Sequence, residues 1–318
     1  MIPVVVKNRV METQNVVRLV LARSDGKSLP AFSAGAHIDI HLPSGLIRQY
    51  SLCRLQVEPD YYEIAVLKDP QSRGGSLEVH TLAIGTELVI SEPRNHFPLK
   101  QGQGHVLLIA GGIGVTPLLP MAQTLQQEGR SFDFHYCAKS PNQAAFVEAL
   151  EKGSFADKMH FHFSQVEGSG RMDLVSVLSR HAFASELYLC GPADFITAVL
   201  TQARMLGWSE DRLHKEFFAA PELDEIASDN ETFQVKIHST GELIEVVPEQ
   251  SMFDALDANG IYLPVSCESG VCGTCQTAVI SGTPDHKDVF LTEQEKNSGK
   301  WVMPCCSRSK SAILELDL

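Results

Sequence analysis

Cys267-Glu268-Ser269-Gly270-Val271-Cys272-Gly273-Thr274-Cys275 decides how the last part of this 318-residue chain is built. Cys305 follows after 29 intervening residues, giving Cys-x4-Cys-x2-Cys-x29-Cys, the spacing of a plant-type 2Fe-2S site. Thiolates are natural ligands for iron. Gly270 and Gly273 let the backbone curl around a cluster and direct N–H groups at its sulfurs. A structural zinc site is the competing reading, but zinc favours two separated Cys-x2–4-Cys pairs rather than three cysteines crowded in one loop. Cys306 stands beside Cys305, so the residues alone leave the fourth ligand as a choice between neighbours, one of them a small packed thiol.

Working back from that loop, Thr232 to Leu318 opens with a hairpin pattern, Phe233 to His238 and Leu243 to Val247, turning at Ser239-Thr240-Gly241. Before it, Ala219 to Glu231 is acidic and lacks apolar periodicity, which reads as a linker. Upstream, His105-Val106-Leu107-Leu108-Ile109-Ala110 is a continuous apolar run suited to a strand buried on both faces of a parallel sheet. Helical stretches at Thr116–Glu128, Ala144–Glu151 and Ala193–Leu206 alternate with strand patterns at Phe132–Tyr136 and Glu186–Cys190. That alternation predicts an α/β nucleotide-binding domain. Residues 4–100 read instead as short strands, among them Val16–Leu21, His37–Leu42, Tyr62–Val66 and Glu87–Ile90, separated by turns as in a small antiparallel β-barrel. The expected domains are 1–101 (β-barrel), 102–221 (α/β, nucleotide-binding), 222–231 (linker) and 232–318 (2Fe-2S).

Composition narrows the class. A hydrophobic content of 44% with 20% charged residues suits folded domains. A net charge of −13 and no Lys/Arg-rich run argue against nucleic-acid partners. No secretory signal pattern is present and no apolar run is long enough to span a bilayer, so a cytoplasmic protein with no membrane partner is expected. Of eight cysteines, Cys53, Cys137, Cys190 and Cys306 fall outside the four-cysteine pattern, which points to metal chemistry rather than disulfides.

Two further groups of residues carry chemistry. Arg48-Gln49-Tyr50-Ser51-Leu52 offers a guanidinium for a phosphate, an aromatic face and a hydroxyl. Arg73-Gly74-Gly75-Ser76 adds glycines for close backbone approach and N–H groups at a possible helix start. Ala110-Gly111-Gly112-Ile113-Gly114-Val115-Thr116-Pro117 lies between a buried strand and a helix, where N–H groups can hold a pyrophosphate, although the spacing is not G-x-G-x-x-G. Cys190-Gly191-Pro192 closes a later strand at the carboxyl edge, where such sheets bind ligands. Each alone also reads as an ordinary turn or packed residue; their combination gives them weight.

In this order, Arg-x-Tyr-Ser, Gly-Gly-x-Gly-x-Thr-Pro, Cys-Gly-Pro and the C-terminal Cys-x4-Cys-x2-Cys resemble the phthalate dioxygenase reductase and vanillate demethylase reductase family, within the ferredoxin reductase superfamily. The resemblance covers essentially the whole chain and implies, in order, an FMN-binding antiparallel β-barrel domain (1–101), an NAD-binding α/β domain (102–221) and a β-grasp-like 2Fe-2S ferredoxin domain (232–318). It implies FMN contacts at Arg48, Tyr50, Ser51, Leu52, Gly74, Gly75 and Ser76, with Phe218 stacking on the isoalloxazine. It implies that Gly112, Thr116, Cys190, Gly191 and Pro192 surround the nicotinamide and pyrophosphate of NADH. The family's closing Cys-x-Ser-Arg matches Cys305-Cys306-Ser307-Arg308, which makes Cys305 the ligand beside Cys267, Cys272 and Cys275. Leu67 falls where some relatives carry Lys near the flavin, and Lys139 does not decide between NADH and NADPH.

The implied function is transfer of electrons from NADH through FMN and the 2Fe-2S cluster to the terminal oxygenase of a Rieske-type aromatic oxygenase or demethylase system. A hydride brings two electrons and the cluster takes one, so a flavin between them makes the chemistry work. No catalytic acid or base is required, and none of the twelve histidines is nominated. A reductase for a cytochrome P450 or other monooxygenase would carry the same centres. A sensor module without turnover is the alternative from another class. From Thr232 onward, twelve Asp/Glu face six Lys/Arg, so a basic docking patch on the acceptor is expected.

Overall fold

The computed structural model describes residues 1–56, 59–181, 185–219 and 231–318 and falls into two compact units, Met1–Phe218 and Ala219–Leu318. The linker expected at 222–231 lies outside the described residues except for Glu231.

The first unit begins with β1 (Ile2–Thr13), β2 (Val16–Arg23), β3 (His37–His41), β4 (Ile47–Ser51), β5 (Tyr62–Leu67), a short helix α1 (Gly75–Val79) and β6 (Glu87–Ile90). These strands form one antiparallel sheet in the order β4-β3-β6-β1-β2-β5. Its two edges meet through a Leu52–Ile64 bridge and the Cys53 N–H donating to the Glu63 carbonyl at 2.9 Å. β-Branched and Leu residues on alternate positions of β1 and β2 (Val4, Val6, Val17, Leu19, Leu21) point inward and are sealed from water, with Ile38, Ile40, Ile64 and Ile90. At about 25 cal/mol per Å² of apolar surface removed from water, each such side chain contributes roughly 1.5–3 kcal/mol before entropy is set against it.

The unit continues with β7 (Val106–Gly111), α2 (Val115–Gln127), β8 (Phe132–Ala138), α3 (Val147–Glu151), β9 (Met159–Phe163), α4 (Leu174–His181), β10 (Glu186–Gly191), α5 (Ala193–Met205) and β11 (Leu213–Phe217). The sheet is wholly parallel, in the order β11-β10-β7-β8-β9. β7 is central and buried at every position, as its unbroken apolar run requires. Val106, Leu108 and Ala110 face α2, while Leu107 and Ile109 pack with residues of α4 and α5.

The helix expected over Ala144–Glu151 is shorter than its sequence suggested. Phe146 takes a left-handed φ of 65°, which no α-helix tolerates, so α3 starts only at Val147 while Ala144 and Ala145 are buried ahead of it.

The second unit comprises β12 (Phe233–Ile237), β13 (Leu243–Val246), α6 (Met252–Ala258), β14 (Thr277–Ser281), β15 (Pro284–Asp285), α7 (Glu293–Ser298), β16 (Trp301–Val302), β17 (Arg308–Ser309) and β18 (Ile313–Leu316). Five strands form a mixed sheet, β13-β12-β18-β14-β16, with β12 and β18 parallel; β15 pairs with β17 apart from it. Both helices start with capping boxes, Ser251 with Asp254 and Thr292 with Glu295, so short helices begin at fixed points. Among the described residues no helix is long and apolar enough to cross a membrane.

Candidate cofactor sites

In the first unit the glycines of the two nucleotide motifs have structural work. A Cβ on Gly114 would lie 2.2 Å from the Cys190 carbonyl oxygen, and one on Gly191 would lie 2.9 Å from Gly111 Cα. These glycines let the end of β7 and the end of β10 touch. Gly112 is different: its φ is +54° and nothing stands within 4 Å of where a Cβ would be. It is the glycine that faces open space at the carboxyl edge. The Thr116 hydroxyl donates to the Ile113 carbonyl at 3.0 Å, fixing the turn into α2 from inside. Pro192 is exposed at the start of α5, while the Cys190 thiol is sealed, and burial pushes its pKa well up, so it stays neutral.

Around β4, Arg48 lies across the start of α1. A Cβ on Gly75 would meet Arg48 Cγ at 2.5 Å, and Gly74, with φ of 91°, turns the chain into the helix. The Arg48 guanidinium donates to the Ile47 and Arg73 carbonyls at 2.8 and 3.4 Å, which holds it beside the start of α1, a setting for an anion. Ser76 Oγ accepts from the Asp69 N–H at 3.1 Å, and Ser72 Oγ is buried without a partner. Burial raises the Tyr50 pKa, keeping its hydroxyl neutral. The Leu52 side chain belongs to the core, so only its backbone is available to a ligand. Phe218 is 40% exposed, a large apolar ring left facing solvent in this unit. This set suits a flavin phosphate and ring.

Sequence reasoning missed Glu216. It sits on β11 next to Cys190 on β10, hydrogen-bonds Ser51 from the antiparallel sheet, and has a second oxygen, Oε2, sealed from solvent with no partner. The residue as a whole is half-buried, while its carboxyl is fully buried. That burial pushes the pKa up to about 8. Ser51, Glu216 and Cys190 therefore bring the Arg-x-Tyr-Ser motif and the Cys-Gly-Pro motif together in one unit. A Glu between Lys215 and Phe217 on an edge strand reads as a solvated charge, so only the fold reveals it.

In the second unit, Cys272, Cys275 and Cys305 are buried, and Cys267 is partly so. The Cys267 and Cys272 sulfurs are in hydrogen-bond contact, which pushes the Cys272 thiol upward, and the Ser269 N–H points at Cys267 Sγ from 3.5 Å. Gly270 and Gly273 are left-handed (φ +71° and +72°); a Cβ on Gly270 would meet Cys306 Sγ at 2.5 Å, and one on Gly273 would strike the Phe290 ring at 2.2 Å. The loop before α7 grips the cysteine loop: Val289 N–H donates to the Gly270 carbonyl at 3.1 Å, and the buried Asp288 accepts from Leu291 N–H and Ser307 Oγ. Neither Asp288 nor Phe290 carried a sequence signal, because their role is to pack against backbone.

The donor set fits two irons better than one zinc. A single tetrahedral zinc would draw its sulfurs to roughly 3.8 Å of one another. Among the described residues, the trio of metal-ligating side chains whose donor atoms all fall within 4.8 Å is His105, Asp133 and His181, and it includes no cysteine.

A parallel-sheet nucleotide site, an antiparallel flavin site beside it and a plant-type cysteine loop define an electron-transfer reductase. Residues 235–310 match the family model described as a 2Fe-2S iron-sulfur cluster binding domain. Over 319 aligned residues, all of both chains, the protein is 48% identical to a vanillate O-demethylase oxidoreductase of Pseudomonas sp. (strain HR199 / DSM 7063). The solved phthalate dioxygenase reductase, described as a modular structure for electron transfer from pyridine nucleotides to [2Fe-2S], superposes with a TM-score of 0.75 at 34% identity, covering 99% of this chain and 97% of that one. An intact type IV self-sufficient cytochrome P450 monooxygenase matches with a TM-score of 0.87 at 34% identity; it covers all of this chain and 41% of that one. The chain belongs to the phthalate dioxygenase reductase and vanillate O-demethylase oxidoreductase family. It is an NADH-dependent flavin and iron–sulfur oxidoreductase using FMN and a 2Fe-2S cluster, and its partner is an oxygenase component.

Proposed function

We propose that this reductase serves a Rieske-type oxygenase that hydroxylates or demethylates aromatic substrates, working in the cytoplasm, where thiols stay reduced. The carrying observation is the 48% identity along the whole chain to a vanillate O-demethylase oxidoreductase; the meeting of Ser51, Glu216 and Cys190 supports a flavin set against a nicotinamide. Bound FMN supplies conversion between two-electron and one-electron chemistry, and the 2Fe-2S cluster passes single electrons onward.

The chain's own residues bind and orient. Arg48 with the Gly74–Gly75 turn holds the FMN phosphate, helped by Ser76, and Tyr50, Ser51 and the Leu52 backbone line the flavin. Phe218, 40% exposed, would cover the flavin ring. Gly112, Thr116, Gly191 and Pro192 shape the pyrophosphate cradle at the carboxyl edge, and the neutral Cys190 leaves the nicotinamide pocket uncharged. Glu216, protonated near neutral pH, keeps a negative charge away from the same pocket and holds a proton at its carboxyl. Cys267, Cys272, Cys275 and Cys305 hold the cluster, with Cys306 hydrogen-bonded to the Met303 carbonyl as a packed neighbour.

The test reconstitutes the chain with a Rieske aromatic O-demethylase and NADH and follows product. Turnover that falls steeply with added salt supports docking on the acidic 232–318 segment; product absent while cytochrome c is reduced assigns a different oxygenase. The cytochrome P450 reading has one observation in its favour, the match along the whole chain to the self-sufficient monooxygenase. The same assay run with a cytochrome P450 decides between them, and NADH oxidation with an artificial acceptor excludes a sensor without turnover.

A further inference from the structure

We propose that His105, Asp133 and His181 form a binding site for one divalent transition ion that prefers imidazole, zinc foremost, with water completing its shell. The three residues come from widely separated segments: the residue before β7, the start of β8 and the end of α4. Asp133 Oδ2 lies 3.3 Å from His105 Nε2 and 3.5 Å from His181 Nε2, and the three donor atoms all fall within 4.8 Å of one another. Ligands about 2.0–2.1 Å from a tetrahedral zinc are themselves roughly 3.3 Å apart, so the distances to Asp133 already suit an ion, and His105 and His181 tilt out of their parallel stack to aim both lone pairs at it. His160 Nε2 stands 3.2 Å from the other oxygen, Asp133 Oδ1.

Two further observations point to a cation rather than to an ordinary ion pair. His105 Nδ1 is 2.8 Å from Ser131 Oγ, so the ring can donate there and leave Nε2 as a lone pair facing Asp133. Metal-bound histidines are oriented in this way by a second partner. Secondly, His105 Nε2 is buried and has no aligned hydrogen-bond partner despite its closeness to Asp133. The rings of His105 and His181 are stacked at 4.5 Å and 6°, and His135 stacks on His160 at 4.6 Å while meeting His162 Nε2 at 2.9 Å. Asp133, His160 and His181 are partly exposed, giving a hydrated ion a way in.

The site lies at the amino edge of the parallel sheet, whereas Gly112 and Cys190 stand at its carboxyl edge, roughly 17 Å away along a strand of this length. Its role is therefore to tie β7, β8 and α4 together, stabilising the first unit by mass action, and it takes no part in electron transfer.

The test uses tag-free holoenzyme with its flavin and cluster in place, given one equivalent of zinc and desalted. The expected result is one retained zinc whose X-ray absorption shows a nitrogen/oxygen shell at about 2.0–2.1 Å with imidazole scattering, together with a raised melting midpoint. Asp133→Asn and His181→Gln should weaken zinc at least tenfold with flavin and cluster content unchanged. His105→Phe, which keeps the ring stack and deletes both nitrogens, should do the same, so a folding failure in one variant does not decide the matter. Zinc affinity unchanged in all three, or a sulfur shell at about 2.3 Å marking the ion as bound by cysteines, would overturn the proposal.

Discussion

The carboxyl of Glu216 hydrogen-bonds Ser51 and keeps its other oxygen sealed and unpartnered. A group from the parallel sheet thereby reaches the strand that carries the flavin motif.

This relationship has a pH signature. Burial raises Glu216 from its ordinary 4.5 to about 8, so the folded chain holds a proton that the unfolded chain has lost across that window. The contribution favours the fold below about 4.5 and is lost as pH rises through about 8. Glu216→Gln should flatten the stability profile between these values and leave the variant comparatively more stable on the alkaline side. Urea midpoints followed by Trp208 fluorescence in a Trp301→Phe background measure it; an unchanged slope would mean that Glu216 titrates normally.

Gly75→Ala places a methyl group 2.5 Å from Arg48 Cγ, which must swing away. FMN affinity should drop at least tenfold, read from fluorescence of the released flavin, while cluster absorbance per chain stays unchanged.

The two adjacent cysteines are separable. Cys305→Ser should abolish the visible spectrum of the cluster, and Cys306→Ser should keep it, because Cys306 is engaged with the Met303 carbonyl and packs against Gly270. The reverse pattern would exchange their roles.

Arg308 donates to the carbonyls of Gln250, Glu231 and Val247 at 2.8–3.2 Å and lies over the Phe233 ring at 5.1 Å. Arg308→Met keeps the stem and leaves three acceptors short of a donor. The second unit should lose on the order of 3 kcal/mol, seen as an earlier melt of cluster absorbance.

The architecture was legible where one force dominates. The apolar run ending at Ala110 could only be a buried strand, and β6 (Glu87–Ile90) and α5 (Ala193–Met205) stand close to where periodicity puts them. β9 was missed although Met159-His160-Phe161-His162-Phe163 alternates apolar and polar residues; it is only five residues long, and its histidines share a face with Asp133 and His135. The cysteine loop was legible because its spacing is covalent chemistry written in one segment. Glu216, Asp288 and Phe290 were not, since each gains its meaning from a neighbour distant in sequence.

In the proposed wiring, electrons pass from NADH to FMN and then to the cluster. Anaerobic stopped-flow mixing of holoenzyme with NADH, following flavin and cluster absorbance separately, tests it most directly. Flavin should bleach first and the cluster should be reduced after it. A cluster that remains oxidised while the flavin is reduced, or one that reduces ahead of the flavin, would contradict it.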